Sequence, residues 1–549
     1  MSVVDATLML IAACIGFALL ARELRLPYAV ILVLGGMALA FFPGLPEVRL
    51  DPELALAFFL PPLLQSSAYR TDWRSFRVNL REILLLAVGC VVFTALCMGA
   101  AAKLLLPDLP WVAALAFGAI VAPPDAVAAA AVLQRLRLPR QLVTVLEGES
   151  LVNDASALVL YRFAVAAAGT AAVTLWQGVW TLLLPAAGGV VIGWVAGRAS
   201  AWISARLEDT QLETALSFLA CYASFLAAET LHLSGVIAVV TTGFVLGQAS
   251  HRLLDSRTRL AMRSVWQFVE FILNSLVFIL IGLQLNQILR QLQDWPWTVL
   301  GGLALTMATI LILSRFLWVF AAAGLPRLVP ALRQRNPAPP WRMAAVISWA
   351  GMRGVVSLAA ALALPSDFPD RDLIVFLAFT AILATLVLQG TSLEWLIRRL
   401  KMEEPPPDGS FEPEEAEARQ AIAQAALQEI ERRLDDPLEG AIAADLVSEF
   451  RGRAQHLHRT IGSGGAVTAE RTARRRLRLL ALEAGRARLM ELRRQGRLRQ
   501  EVLARLELEL DLEELRIRQV LGDERTEAER QEARRRRRQA AAGQLWQFQ

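Results

Sequence analysis

Cysteine is scarce and charge is thin in this 549-residue chain. The four cysteines (Cys14, Cys90, Cys97, Cys221) stand singly inside apolar runs, with the spacing of neither a disulfide framework nor a metal site. Only 19% of the residues are charged, against roughly 25% in a soluble domain, while 55% are hydrophobic and the mean hydropathy is +0.44. What charge there is lies unevenly. Residues 1–400 hold 28 Lys/Arg and 23 Asp/Glu, whereas residues 401–549 hold 28 of each. For the first 400 residues this excludes a soluble enzyme, a secreted disulfide scaffold and a disordered protein. No cleavable leader is evident, because the first apolar run is long enough to span a bilayer. The pI near 9.4 could suit nucleic acid, but the positive excess belongs to the apolar part, so no nucleic-acid partner is expected.

Apolar stretches of spanning length recur thirteen times, at 3–21, 27–43, 52–69, 83–106, 110–134, 142–168, 175–197, 211–231, 233–250, 264–289, 298–324, 342–365 and 373–396. Nineteen arginines lie in loops after odd-numbered stretches, against four basic residues after even-numbered ones. The basic loops are expected on the cytoplasmic side, with the N-terminus outside and the C-terminus within. Trp295, Trp297 and Trp341 suit interfacial belts.

Thirteen divides as six, one and six, so two six-helix repeats would be inverted relative to each other. The fifth stretch carries Pro123-Pro124 and the twelfth carries Gly351-Met352-Arg353-Gly354, equivalent places in the two repeats. Paired interruptions of this kind point to a midplane substrate site. The expected fold is an all-α membrane protein with helices 5 and 12 interrupted. Residues 1–400 form the membrane domain, 401–411 a linker and 412–549 a charged helical cytoplasmic tail.

An ionisable group deep in a bilayer costs roughly 2.5–3.5 kcal/mol on the insertion scale, so it usually serves a function. The deep set is Asp125, Glu149, Asp154, Arg315 and Arg353, with Glu147, Arg162, Glu229 and Glu270 nearer the ends. Ser150 and Asp154, four apart, share a helix face with Glu147 one turn away. That face suits a small hard cation. Glu149 and Asn153 turn toward another neighbour, and Arg353 is the expected partner of Glu149. Asp125 either caps the half-helix after the break or contacts the ion. Glu147, Glu229 and Ser66 are candidates for a gate or access path, and Arg162 is expected to snorkel outward.

The stretches Gly118-Ala-Ile-Val-Ala-Pro-Pro-Asp125, Glu147-Gly-Glu-Ser-Leu-Val-Asn-Asp154 and Gly351-Met-Arg-Gly-Val-Val-Ser357 resemble the monovalent cation:proton antiporter family, bacterial sodium/proton exchanger branch. Supporting stretches are 59–64, 234–239 and 274–282, and the likeness covers roughly residues 1–400. It implies that Asp154 binds cation and proton alternately, that Ser150 and Asn153 assist, that Glu149 and Arg353 form an ion pair, and that Asp125 belongs to the unwound crossing. It also implies inverted repeats, a homodimer and an elevator-like movement. Two positions depart from the pattern. Pro124 replaces a threonine common before the aspartate, and Gln65-Ser66 replaces a carboxylate common in the third span.

These readings favour an antiporter exchanging protons for sodium, with potassium or lithium as alternatives, across the inner membrane and without a cofactor. Asn153, where an electrogenic relative carries a second Asp, suggests one proton per cation. A gated cation channel and a membrane-anchored sensor are the rival readings. In the tail, Leu477, Leu479, Leu480 and Leu482 beside arginines suggest amphipathic helices. His456 and His458 do not suggest a metal site, and Arg534–Arg538 reads as a solvated or lipid-facing run.

Overall fold

Helix is the only regular structure among the described residues of the computed structural model. It describes residues 3–24, 26–42, 52–125, 129, 133, 136, 138–169, 175–293, 295–324, 340–365, 367–403, 413–436, 439–462, 466–495 and 500–520. The Pro405–Pro407 run, Arg534–Arg538 and the loop arginines Arg25, Arg49, Arg135, Arg137, Arg327, Arg333 and Arg335 lie outside them. The chain divides into two compact units, Met1–Glu404 and Pro405–Gln549.

In the first unit the helices are α1 (Val3–Leu24), α2 (Tyr28–Ala40), α3 (Pro52–Arg70), α4 (Trp73–Val78) and α5 (Leu80–Leu84), then a π-helical turn at Leu85–Cys90. There follow α6 (Val91–Leu105), α7 (Trp111–Val121), α8 (Arg140–Gly169), α9 (Leu175–Ser204), α10 (Thr210–Thr230), α11 (Gly235–Leu253) and α12 (Ser256–Leu283). The last are α13 (Leu285–Gln291), α14 (Trp297–Gly324), α15 (Trp341–Trp349), α16 (Val355–Leu362) and α17 (Arg371–Arg399). Among the described residues, six helical segments are long and apolar enough to cross a membrane: Leu80–Leu105, Leu183–Ser204, Thr210–Thr230, Ser256–Gln291, Trp297–Gly324 and Arg371–Arg399. Side chains start several helices. Asp72, Asp209, Ser234 and Asp255 accept hydrogen bonds from the first free amides of α4, α10, α11 and α12, groups that a helix cannot satisfy internally.

Two apolar clusters organise this unit. One joins α2, α6, α7, α12, α14, α15 and α17; the other joins α3, α10, α11 and the start of α12. Helix α8 belongs to both. Leu142, Val145 and Leu146 pack in the first cluster, and Leu151 and Ala155 in the second. Residues 149–154 therefore run along the seam between them.

The second unit contains α18 (Pro413–Glu431), α19 (Gly440–Gly462), α20 (Ala466–Arg494) and α21 (Gln500–Val520). Helix α18 packs on α19, and α20 on α21. Arg451 reaches Glu431 at 2.8 Å, and Arg486 pairs with Asp511 and Glu514. The apolar seam differs from the sequence expectation. Leu477 and Leu480 stay exposed, whereas Leu482 and Leu489, seven residues apart, are buried together with Leu503 and Ile517. A seven-residue spacing keeps two side chains on one stripe, which the 477–480 cluster does not.

Candidate functional site

Both expected interruptions are present. Helix α7 stops at Val121 and the chain runs without helix to Asp125, while α15 stops at Trp349 and α16 begins at Val355. The broken segments touch, since the amide of Asp125 donates to Met352 O at 2.6 Å. A side chain has no room at this contact. A Cβ on Gly354 would overlap the Asp125 carboxylate, and one on Gly351 would overlap the Arg315 side chain. Glycine is therefore required by close approach, with no need for unusual dihedrals.

Breaking a helix in an apolar interior strands carbonyls at its C-terminal end. Arg353 answers this need. Its Nε donates to Val121 O at 2.6 Å and its Nη1 to Gly351 O at 2.6 Å, so one guanidinium serves the ends of both first half-helices. The negative ends of two helix dipoles meet there, which favours a cation. The backbone amide of Arg353 donates to Thr385 Oγ1 at 3.1 Å. Asp125 sits on the opposite pole, its carboxylate packed against Gly354, the residue that precedes α16. This is the positive end of that half-helix, belonging to the second break and not to the one that Asp125 follows.

The expected ion pair of Glu149 with Arg353 is thus corrected. Glu149 binds Arg315 of α14 instead, through a bidentate fork of 2.6 and 2.8 Å, with both side chains 2% exposed. Arg315 also donates to Ile347 O from Nε at 3.2 Å and from Nη2 at 3.1 Å, covering a carbonyl in the last turn of α15. The physical reason is a division of labour. Arg353 is already held by carbonyls, and the planar fork of Arg315 matches a carboxylate edge-on.

Asn153 points at the crossing, its Nδ2 donating to Pro124 O at 2.6 Å, while its Oδ1 is buried without a partner among the described residues. Asp154 follows it, 8% exposed and within Coulombic range of Asp125. Ser150, one turn earlier, is half-buried. So Asp125, Asn153, Asp154 and Arg353 converge on one crossing, in the interior of a helical membrane unit.

Residues 9–399 match the family described as sodium/hydrogen exchanger, transmembrane. The chain belongs to that family. An uncharacterized Na(+)/H(+) exchanger of Mycobacterium tuberculosis is 34% identical over 92% of this chain and 95% of its own length. The sodium, potassium, lithium and rubidium/H(+) antiporter of Bacillus pumilus is 34% identical over 68% of this chain and 58% of its own. The solved structure of the sodium proton antiporter MjNhaP1 of Methanocaldococcus jannaschii shares the fold, with a TM-score of 0.55 at 19% identity over 74% of this chain and all of that one. This exchanger is a multi-pass membrane protein of cation/proton antiport, and the channel and sensor readings are not favoured.

The suspected gate residues divide into two groups. Ser66 Oγ donates to Glu270 Oε2 at 3.2 Å, and Arg70 grips the same carboxylate at 2.7 and 3.1 Å. Glu147, exposed, lies within Coulombic range of Arg70 and Glu270. Toward the other end of α8, Arg162 binds Glu229 at 3.0 and 3.3 Å. Glu229 also accepts from the amide of Gly235 at 3.2 Å. Arg162 is exposed as expected, yet it closes an ion pair between α8 and α10 instead of only snorkelling. Two polar residues of the interior, Thr385 and Gln389, escaped the sequence reading, as did the partnership of Arg315 with Glu149. Thr385 and Gln389 are both buried, four apart in an otherwise apolar stretch of α17. That spacing marks a polar stripe on one helix face, and it was the available signal.

Proposed function

We propose that this exchanger trades protons for sodium at Asp154. What supports the reading is a contrast in partnership around the crossing. Glu149 has Arg315, Arg353 has two carbonyls, and Asp125 has the amide end of α16 beside it. The Asp154 carboxylate, also buried, makes no hydrogen bond or ion pair to any described residue. A carboxylate kept from permanent partners can hold either a proton or a cation. Competition for it couples the two fluxes. Asn153 Oδ1, Ser150 and Asp125 supply further oxygen, as hard cations require, and Ser66, Glu147 and Glu229 line the approaches.

In this reading residues 1–400 form thirteen spans in two inverted repeats within a homodimer in the inner membrane. The N-terminus lies outside, and 401–411 links to the cytoplasmic tail 412–549. The Bacillus relative is named for four cations, so potassium and lithium are compared with sodium in the same assay.

The deciding experiment is proton-driven uptake in proteoliposomes. Asp154→Asn is expected to fold, insert and carry no exchange, because an amide neither takes the proton nor balances the cation. Uptake near the wild-type rate in that variant would remove Asp154 from the role.

A further inference from the structure

The charged second unit keeps an apolar seam that no described residue covers. Helix α21 carries two rows of apolar side chains. The first is spent on α20, where Leu503 and Ile517 are buried and Leu510 lies beside Gly485. The second consists of Leu508, Leu512 and Leu515, which are 58%, 52% and 49% exposed. Steps of four and three keep these leucines on one face of the helix. A contiguous apolar row left in the open marks an interaction surface.

The charges beside the row say what covers it. Glu509 and Arg516, both exposed, stand seven residues apart and therefore on the same flank. A second α21 laid antiparallel across the first, with Leu512 of each copy over Leu515 of the other, sets Glu509 of each copy against Arg516 of the other. Two symmetric ion pairs result. Sliding that arrangement by one heptad, so that Leu512 meets Leu508, brings the two Glu509 side chains together. A parallel pairing stacks two copies of Arg505, exposed and three residues before Leu508, within the seam itself. One orientation and one register satisfy the charges. We propose that α21 is a self-association surface, pairing antiparallel and isologously with α21 of a second copy of this chain. The leucines drive the contact. Exposed ion pairs add little affinity, but they fix orientation and register. Three leucines a side hold weakly in free solution, so the proposal rests on the homodimer of the reading above, which brings two tails together at high effective concentration.

The test uses the full chain in detergent, carrying Leu512→Cys and treated with a short bis-maleimide. Two copies are expected to be joined through this position. The background comes from the unchanged protein, whose Cys14, Cys90 and Cys221 are buried and Cys97 half-buried, and from Ser448→Cys, exposed on α19. Adding Glu509→Arg sets arginine against Arg516 and is expected to cut the cross-linked fraction several-fold. Adding Arg516→Glu as well rebuilds both pairs with their signs exchanged, and the fraction should return to near its starting value. Both positions are exposed, so neither change threatens the fold of the helix. If the row lies instead on a lipid surface or on a different protein, Leu512→Cys gives no dimer above background, and the proposal is overturned. Cross-linking that ignores Glu509→Arg, or that the double exchange does not recover, overturns it too. Light scattering on the same samples gives the mass of the complex. A dimer that does not cross-link overturns the α21 contact alone, whereas a monomer overturns the homodimer with it.

Discussion

Arg315 and Arg353 are both buried, 2% and 1% exposed, yet they are neutralised by different means. Arg315 answers a carboxylate, whereas Arg353 answers backbone carbonyls at two helix ends. The difference has consequences for substitution. Arg315→Ala would leave Glu149 buried and uncompensated, and breaking such a pair costs about 3–5 kcal/mol. Replacing both partners, as Glu149→Leu with Arg315→Met, is expected to recover most of that loss, because an apolar pair of similar volume leaves no orphaned charge. Melting in detergent compares the variants, and equal destabilisation by the single and double changes would contradict the pairing. At Arg353 the discriminating change is Arg353→Lys. An ammonium keeps the charge but cannot present two donors in a fixed fork, so one of Val121 O and Gly351 O loses its partner. A clear drop in melting temperature is expected, larger than for the same change at exposed Arg398.

Among elements, the interrupted helices carry the tightest steric demand. Gly354→Ala would drive a methyl into the Asp125 carboxylate, and the two crossing segments cannot both stay in place. The expected outcome is low yield of folded protein and loss of exchange, while Gly301→Ala in α14, where a Cβ meets open space, serves as a neutral control. At the edge of the bundle, Asp72 starts α4. It accepts from the amides of Arg74 and Ser75 at 3.0 and 3.1 Å and from Ser75 Oγ at 2.5 Å. These bonds hold its carboxyl below the usual range, the Ser75 hydroxyl first among the causes. A depressed carboxyl stabilises the fold at pH values above its unfolded value and loses that contribution as pH falls through its folded one. Asp72→Ala should therefore cost about 1 kcal/mol at neutral pH, as for other N-caps. The difference from wild type should shrink on acidification below roughly pH 4, read by thermal melts at several pH values.

For the whole molecule, the charge inventory of the crossing sets the expected stoichiometry. Asp154 is the one carboxylate there without a protein partner among the described residues, Asn153 beside it is neutral, and Ser66 stands where a carboxylate is common. Arg353 stays charged throughout, since a guanidinium is effectively never deprotonated in proteins. One proton is then expected to trade for one sodium ion, which makes the expected exchange electroneutral. Proteoliposomes clamped at several membrane potentials with potassium and valinomycin test this. The equilibrium sodium gradient at fixed pH gradient should not move with potential, and a shift would show net charge transfer.

The sequence by itself determined the class of this protein, because thirteen apolar stretches and the two places where they break are local properties of the chain. It also determined that Asp125, Asp154 and Arg353 lie at similar depth, since depth follows from position along a span. Only the tertiary structure decided which partner each buried charge takes. Arg315 and Arg353 are equivalent as letters, and rotation about the helix axes, together with the stranded carbonyls of Val121 and Gly351, assigns one to Glu149 and the other to the backbone. The seat of Asp125 at the start of α16 was likewise beyond reach of the sequence. It arises where separate helices approach, and the distance between helices is not written in the spacing of residues along any one of them.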